Sequence, residues 1–160
     1  MQWVALIAVV IAALDQLTKW LVARSVAPGE SRVIISGFFS LVQAHNTGAA
    51  WGMLRDYNLL LTTVSVLAIA ALVVFRRALS LHRPSLSVPL GLIAGGIIGN
   101  LIDRIRAGSV TDFLSFYVGQ YHWPAFNVAD SAICVGVFLY ILLSWQADNA
   151  AAKRQAIVSS

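Results

Sequence analysis

Four apolar segments, each about as long as a bilayer is thick, constrain this chain more than any other feature of its sequence. They cover about residues 3–22, 57–75, 86–102 and 125–147. Roughly 20 consecutive apolar residues span the hydrocarbon core of a membrane as a helix. The sequence therefore predicts an α-helical membrane protein with four transmembrane helices, numbered one to four in chain order, and a tail over residues 148–160.

The composition agrees with a membrane protein. Hydrophobic residues make up 59% of the chain and charged residues 11%, whereas soluble domains have about 25% charged residues. No repeat or linker divides the chain, so we expect one domain over residues 1–160. The net charge of +4 forms no basic face, which argues against nucleic-acid binding. Cys134 is alone, and the three histidines lack ligand spacing, so we expect no metal site.

The orientation in the membrane depends on basic residues. An even number of spans puts both termini on the same side. Lys and Arg are enriched in cytoplasmic loops, but five fall on each side of the predicted topology. If some basic residues serve a site, the compact cluster of Arg76, Arg77 and Arg83 marks the cytoplasm. We therefore expect both termini to be cytoplasmic.

Unusual polar residues gather at one end of the predicted bundle. They lie at the ends of helices one and three, at the start of helix four and in the connections between them. The set comprises Asp15, Lys19, Asn46, Asn100, Asp103, Arg104, Asp112, Asn127 and Asp130. Ionisable residues are costly in membrane segments and indicate a functional site.

Asp112 and Asp130 lie on either side of a single short connection between two apolar segments. They can therefore approach each other while the adjoining helices stay in lipid. Two carboxylates a few Å apart cannot both ionise easily, so their proton affinities are driven apart. This is the electrostatic condition for the catalytic pair of an aspartic protease.

Two helices carry polar residues at helical spacing. Asp15 and Lys19, at i and i+4, either neutralise each other or support a nearby site. Asn100, Asp103 and Arg104 share a face of helix three, which suggests a cavity wall, although Arg104 could instead extend to the lipid headgroups.

Two further patterns concern the scaffold. In the connection between helices one and two, residues 32–35 and 38–42 predict two short strands around a Ser36-Gly37 turn. We expect them to form a small, half-buried sheet on the membrane surface. Gly91, Gly95 and Gly99 recur every four residues on helix three, which predicts close packing against another helix.

Five local sequences together resemble the lipoprotein signal peptidase family, also called signal peptidase II, from helix one through helix four. They are Asp15-Gln-Leu-Thr-Lys19, Asn46-Thr-Gly-Ala-Ala-Trp51, Gly95-Gly-Ile-Ile-Gly-Asn-Leu-Ile-Asp-Arg104, Val110-Thr-Asp112-Phe113 and Phe126-Asn-Val-Ala-Asp130. Each is weak alone, but their order and helix positions are specific. Two mild departures are Trp51, where Phe is common in the family, and Thr111, where the residue is often aliphatic.

The resemblance implies an aspartic endopeptidase of the bacterial inner membrane, with its site and small sheet on the periplasmic side. The enzyme would cleave the signal peptide from diacylglyceryl-modified prolipoproteins before the lipidated Cys, would need no cofactor and would be inhibited by the cyclic peptide globomycin. The matched catalytic residues are Asp112 and Asp130. The matched substrate-binding residues are Asn46, Gly48, Asn100, Asp103, Arg104 and Asn127. Asp15 and Lys19 match a motif of structural support.

Two other classes of protein deserve comparison with this interpretation. A small proton-coupled transporter could use Asp15, Asp103 and Asp130 as a proton relay, but such sites typically lie at the membrane midplane between repeats. A structural membrane subunit would leave the two aspartates and the sorted polar residues unexplained. The residues therefore favour the peptidase, with the transporter as the alternative.

The predicted topology can be tested by cysteine labelling in spheroplasts that carry Cys134→Ala. We expect Ser31→Cys and Gly119→Cys to react with an impermeant thiol reagent, because both connections should face the periplasm. Ser80→Cys should react only after lysis. Labelling of Ser80→Cys from outside, with Gly119→Cys protected, would invert the topology.

Overall fold

The computed structural model describes residues 2–49, 53–75 and 84–158. Its four α-helices are α1 (Gln2–Ser25), α2 (Asn58–Val74), α3 (Ser87–Ala107) and α4 (Val128–Val158). Its four strands are β1 (Ser31–Ile35), β2 (Phe39–Asn46), β3 (Val110–Val118) and β4 (Tyr121–His122). The basic cluster that suggested the orientation, at residues 76, 77 and 83, lies outside the described residues, as does Trp51.

In the described part of the chain, three helices are long and apolar enough to cross a membrane. They are α1, α3 and the Val128–Ala151 part of α4. The fourth, α2, is apolar but has 17 residues, which gives it a length of roughly 25 Å against a hydrocarbon core of about 30 Å. The predicted segments ended where hydropathy falls, whereas α3 and α4 continue beyond residues 102 and 147 with polar residues.

Glycines allow α3 to pack closely between α1 and α4. A Cβ atom at Gly95 would lie 2.7 Å from the Ala8 carbonyl oxygen of α1, and one at Gly91 would lie 2.6 Å from Ile7 Cβ. On the α4 side, a Cβ atom at Gly96 would overlap the Ala129 carbonyl oxygen. These contacts confirm the predicted close packing of the glycine ridge, and they make α3 the centre of the bundle.

The strands form one antiparallel arrangement in the order β1-β2-β3-β4. The predicted hairpin is confirmed: β1 pairs with β2, and Gly37 in the turn has a φ of 76°. The sequence placed a sheet only between helices one and two. The structure adds β3, from the connection between α3 and α4, as the partner of β2.

The pairing of β2 with β3 determines which residues meet at the site. Leu41 lies opposite Leu114, the register shifts beyond this pair, and Ala44 lies opposite Asp112. The sheet therefore brings the end of β2 to the start of β3. A buried cluster of Val22, Val26 and Phe113 packs the sheet onto α1, so the two connections are held over the ends of the helices.

The glycine packing leads to a stability prediction. We expect Gly96→Ala to lower the free energy of unfolding in detergent by about 1–3 kcal/mol, because the new methyl group would force α3 and α4 apart. Thermal unfolding of the purified protein measures this effect. Val88→Ala, at an exposed position of the same helix, is the control. Equal midpoints for the two variants would contradict close packing at Gly96.

Candidate active site

Two elements that are distant in sequence present the predicted pair of aspartates. Asp112 is the third residue of β3 and is 4% exposed. Asp130 is the third residue of α4, in its first turn. A carboxylate in the first turn of a helix is stabilised by the positive end of the helix dipole.

The start of α4 is a reciprocal capping arrangement. Asn127 Oδ1 accepts a hydrogen bond from the Asp130 backbone N–H (2.9 Å), and Asp130 Oδ2 accepts one from the Asn127 backbone N–H (3.2 Å). The residue before a helix and its third residue satisfy each other in this way in a capping box. The Ala129 N–H donates to Asp15 Oδ1 of α1 (2.9 Å). Side chains from two helices therefore fix the backbone that carries Asp130.

Asparagine side chains connect the two carboxylates. Asn127 Nδ2 donates to Asp112 Oδ1 (2.8 Å), and Asn46 Nδ2 donates to Asp112 Oδ2 (3.0 Å). Asn100 Nδ2 donates to Asp130 Oδ1 (2.7 Å). Because Asn127 contacts both aspartates, the structure brings the predicted pair together. Every oxygen of the pair accepts at least one hydrogen bond.

A buried cation lies directly behind this network. Lys19 Nζ is 2.7 Å from Asp15 Oδ2 and 2.8 Å from Asp103 Oδ2, and it donates to Asn100 Oδ1 at 3.0 Å. Burying an ammonium group is costly unless it is paired and hydrogen-bonded. The predicted pairing of Asp15 with Lys19 is confirmed, and the pair lies beside the two aspartates, in contact with Asn100.

The aspartates line a cavity of about 850 Å³. Of the predicted site residues, Asn46, Gly48, Asn100, Arg104, Asp112 and Asp130 line it. Asp103 and Asn127, both predicted to bind a substrate, are not part of the lining. The Asp103 carboxylate turns to Lys19 and to Gln16 Nε2 (2.8 Å), and Asn127 is fully buried. Their contacts hold the site together from behind.

Arg104 points into the cavity. Its Nη2 donates to the Gly48 carbonyl oxygen at 3.2 Å, and Asn46 Oδ1 accepts the Gly48 N–H at 2.9 Å. The predicted cavity wall is therefore present for Asn100 and Arg104. These contacts favour the cavity wall over the alternative, in which Arg104 extends to the lipid headgroups. Arg106, two residues on, is exposed.

The electrostatics of Asp112 match those of a coupled carboxyl pair. Burial, and then the negative charge of Asp130, raise the pKa of Asp112 to about 6. Hydrogen bonds from Asn46 and Asn127 and the charge of Lys19 oppose this rise. A proton is therefore retained at Asp112 well above the pH at which an ordinary aspartate releases it.

Sequence reasoning missed several residues of the site. Gln16 donates to Asp103 and to the Gly99 carbonyl oxygen, but a single glutamine beside Asp15 gives no distinctive pattern. His45 and Arg55 line the cavity. The strand pairing places His45 there, and Arg55 lies in the turn before α2. Cys134 is exposed and also lines the cavity. Among the described residues, no cluster of His, Cys, Asp and Glu could hold a metal ion.

The sequence matches a known family over most of its length. The sequence model of the family described as signal peptidase (SPase) II matches residues 7–146. The lipoprotein signal peptidase of Symbiobacterium thermophilum is 48% identical over 140 residues, which cover 86% of this chain and 92% of that protein. The lipoprotein signal peptidase of Oleidesulfovibrio alaskensis is 46% identical over 144 residues, covering 87% and 92%.

The fold matches solved structures as well. A bacterial membrane enzyme solved by the in meso method at 2.3 Å resolution superposes with a TM-score of 0.83 and 32% identity. The match covers 94% of this chain and 92% of that one. A second bacterial membrane enzyme, solved at 1.9 Å, gives a TM-score of 0.75. With the apolar helices, these matches identify a multi-pass membrane protein.

The raised pKa of Asp112 predicts how stability depends on pH. Between about pH 4 and 6 the folded protein keeps a proton on Asp112 that the unfolded chain releases, so the free energy of unfolding should fall as pH rises. The full effect is on the order of 3 kcal/mol. Asp112→Asn should show a flatter profile in thermal unfolding across this range.

Glu30→Gln, at an exposed position, is the control and should keep the wild-type slope. An Asp112→Asn profile as steep as that of the wild type would show that Asp112 titrates normally.

Proposed function

The chain belongs to the signal peptidase II family, and on that premise we propose that it is an aspartic endopeptidase that removes signal peptides from prolipoproteins. The observation that carries the catalytic assignment is the pair Asp112 and Asp130, joined by Asn127 and lining a cavity at one end of the helices. The two carboxyl groups, each held by hydrogen bonds from asparagines, face the cavity. They can hold a water molecule and a peptide bond between them.

The chemistry follows from these two groups. One carboxylate accepts a proton from a bound water as the water oxygen bonds to the scissile carbonyl carbon. The other carboxyl group, protonated, polarises the carbonyl oxygen and then supplies the proton that the leaving nitrogen takes as the C–N bond breaks. Positioned acid and base groups of this kind each contribute about 10²- to 10⁴-fold. The products are a new carboxyl group and a free amine.

The lining suits a lipidated peptide. Apolar side chains such as Val110, Phe126 and Ile133 line the cavity beside the polar groups, so acyl chains and a peptide backbone can occupy it together. We propose that Arg104, with its fork of donors, and Asn46 contact the carbonyl groups of a diacylglyceryl-modified substrate. In this substrate, the peptide bond that is cleaved lies immediately before the lipidated Cys.

The remaining site residues divide by position. Gly48 and Asn100 line the cavity and complete the substrate-binding set. Asp103 and Asn127 were predicted to bind the substrate, and their buried contacts support a role in holding the catalytic pair. Asp15 and Lys19 form the structural support behind it.

We further propose the arrangement in the cell. The whole chain, residues 1–160, is one domain with four membrane spans, α2 being a short one. It lies in the bacterial inner membrane with both termini in the cytoplasm and the sheet and cavity at the periplasmic face. An exported precursor presents its cleavage point on that side. Membrane lipids surround the helices, and globomycin inhibits the enzyme by occupying the cavity.

No finding favours the proton-coupled transporter. The described carboxylates that such a relay would use, Asp15, Asp103 and Asp130, lie in one hydrogen-bonded cluster with Lys19 and Asn100. They gather at one end of the helices rather than along a path through them.

Substituting either aspartate tests the catalytic assignment. We expect Asp112→Asn and Asp130→Asn each to lower cleavage of a lipidated prolipoprotein at least 100-fold, roughly the contribution of one positioned acid or base. The amide keeps the shape of the side chain and loses its ionisation. Cleavage is followed by the shift of the product on a gel.

Asp148→Asn, at an exposed position of α4, removes a carboxylate far from the cavity and should cleave like the wild type. More than about a tenth of wild-type activity in either site variant would contradict the pair.

A further inference from the structure

We propose that Lys19 is a positioning residue that keeps the shared proton of the catalytic pair on Asp112, because it orients the Asn100 amide to support a charged Asp130. The inference deepens the proposed function and rests on it. It assigns Asp130 as the base that takes the proton of water and Asp112 as the acid that polarises the carbonyl group.

The Asn100 amide has only one orientation that satisfies its neighbours. Its Oδ1 accepts from Lys19 Nζ (3.0 Å) and from Asn127 Nδ2 (3.1 Å). A lysine ammonium has donors and no acceptor, so the reversed amide would face two donors with its own NH₂ group. Lys19, together with Asn127, therefore directs the Asn100 NH₂ group to Asp130 Oδ1, at 2.7 Å.

Asp130 is surrounded by groups that favour a negative charge. It lies in the first turn of α4, where backbone N–H groups and the helix dipole favour an anion. Asn100 and the Asn127 N–H donate to its two oxygens. Only the Asn100 amide separates the Lys19 ammonium from Asp130. By binding the Asn100 carbonyl oxygen, the ammonium polarises this amide, whose NH₂ group donates to Asp130.

Asp112 has a different environment. It lies on a strand, without a helix terminus, and its partners are the neutral side chains Asn46 and Asn127. Burial and the negative charge of Asp130 raise its pKa to about 6. Because the helix terminus and the Asn100 amide favour the charge on Asp130, a single proton shared by the pair is held at Asp112.

Other charged groups also lie near the pair. Asp15 from α1 and Asp103 from α3 flank Lys19 and give this group of three a net charge of −1. Arg104 from α3 lines the cavity and binds the Gly48 carbonyl oxygen. His45 of β2 and Arg55 lie elsewhere on the lining. Among these charged groups, Lys19 is linked to Asp130 through the Asn100 amide.

The test compares pH profiles of kcat/KM for cleavage of a lipidated prolipoprotein in detergent. The acid limb reports the group that must be ionised, and the alkaline limb the group that must be protonated. Lys19→Met combined with Asp103→Asn removes the donor to Asn100 but keeps the net charge of the cluster at −1. We expect its acid limb to move to higher pH by on the order of one pH unit, with a lower kcat.

Two variants sharpen this comparison. Asp103→Asn alone keeps the Lys19 contact and removes a negative charge, so its acid limb should move to lower pH. Asn100→Ser removes the oriented amide without touching the buried charges, and it should move the acid limb in the same direction as the double variant. It therefore tests the proposal even if the double variant does not fold.

The position of the proton is tested separately with Asn46→Ala. Of the two aspartates, Asn46 donates to Asp112 and stabilises its ionised form. Its loss should therefore move the alkaline limb to higher pH and leave the acid limb in place. Arg24→Met removes a basic residue from an exposed position of the same helix as Lys19, and both limbs should stay at their wild-type values.

The outcomes separate this inference from the proposed function. A shift of the acid limb in Asn46→Ala would place the proton on Asp130. Wild-type profiles in Asn100→Ser and in the double variant would make Lys19 purely structural. Either result overturns the inference while cleavage itself continues. Absence of cleavage by the wild-type protein would instead refute the proposed function.

Discussion

The cost of burying charge is the constraint on which the rest of this structure depends. Asp15, Lys19 and Asp103 lie among apolar helices, where an unpaired ion would be strongly destabilising. Each finds its partners on another element: Lys19 on α3, Asp15 on the first turn of α4, and Asp103 at the start of β3. Satisfying these groups joins three helices and the sheet at one point, and the catalytic pair lies there.

Sequence patterns predicted the parts of this arrangement that depend on local spacing. Apolar runs gave the helices, the interval of four residues gave both the glycine ridge and the Asp15–Lys19 pair, and the Ser36-Gly37 turn gave the hairpin of β1 and β2. In each case the physical cause lies within one element. The boundaries were less accurate, because α3 and α4 extend beyond the apolar residues by which they were recognised.

The parts that were missed depend on contacts between distant elements. β3 alternates too weakly to stand out, and it forms because β2 offers it an edge. Gln16 becomes a site residue only when α3 places Asp103 beside it. The different roles of Asp103 and Asn127 likewise follow from which way their side chains turn, and spacing along one helix cannot determine that. Pairing across the fold, rather than local preference, decides these features.

The capping arrangement of Asn127 and Asp130 has a consequence for how the sequence itself is interpreted. The carboxylate proposed to activate water is also the one that closes the first turn of α4, and the amide that joins the two aspartates is also the helix cap. The interval of three residues between them is therefore fixed by the geometry of helix initiation. A residue inserted between them would separate the Asp130 carboxylate from the Asn127 cap even if both side chains were kept. The Asn127–Asp130 motif, which looks like a signature of the chemistry, equally marks the position at which the helix must begin.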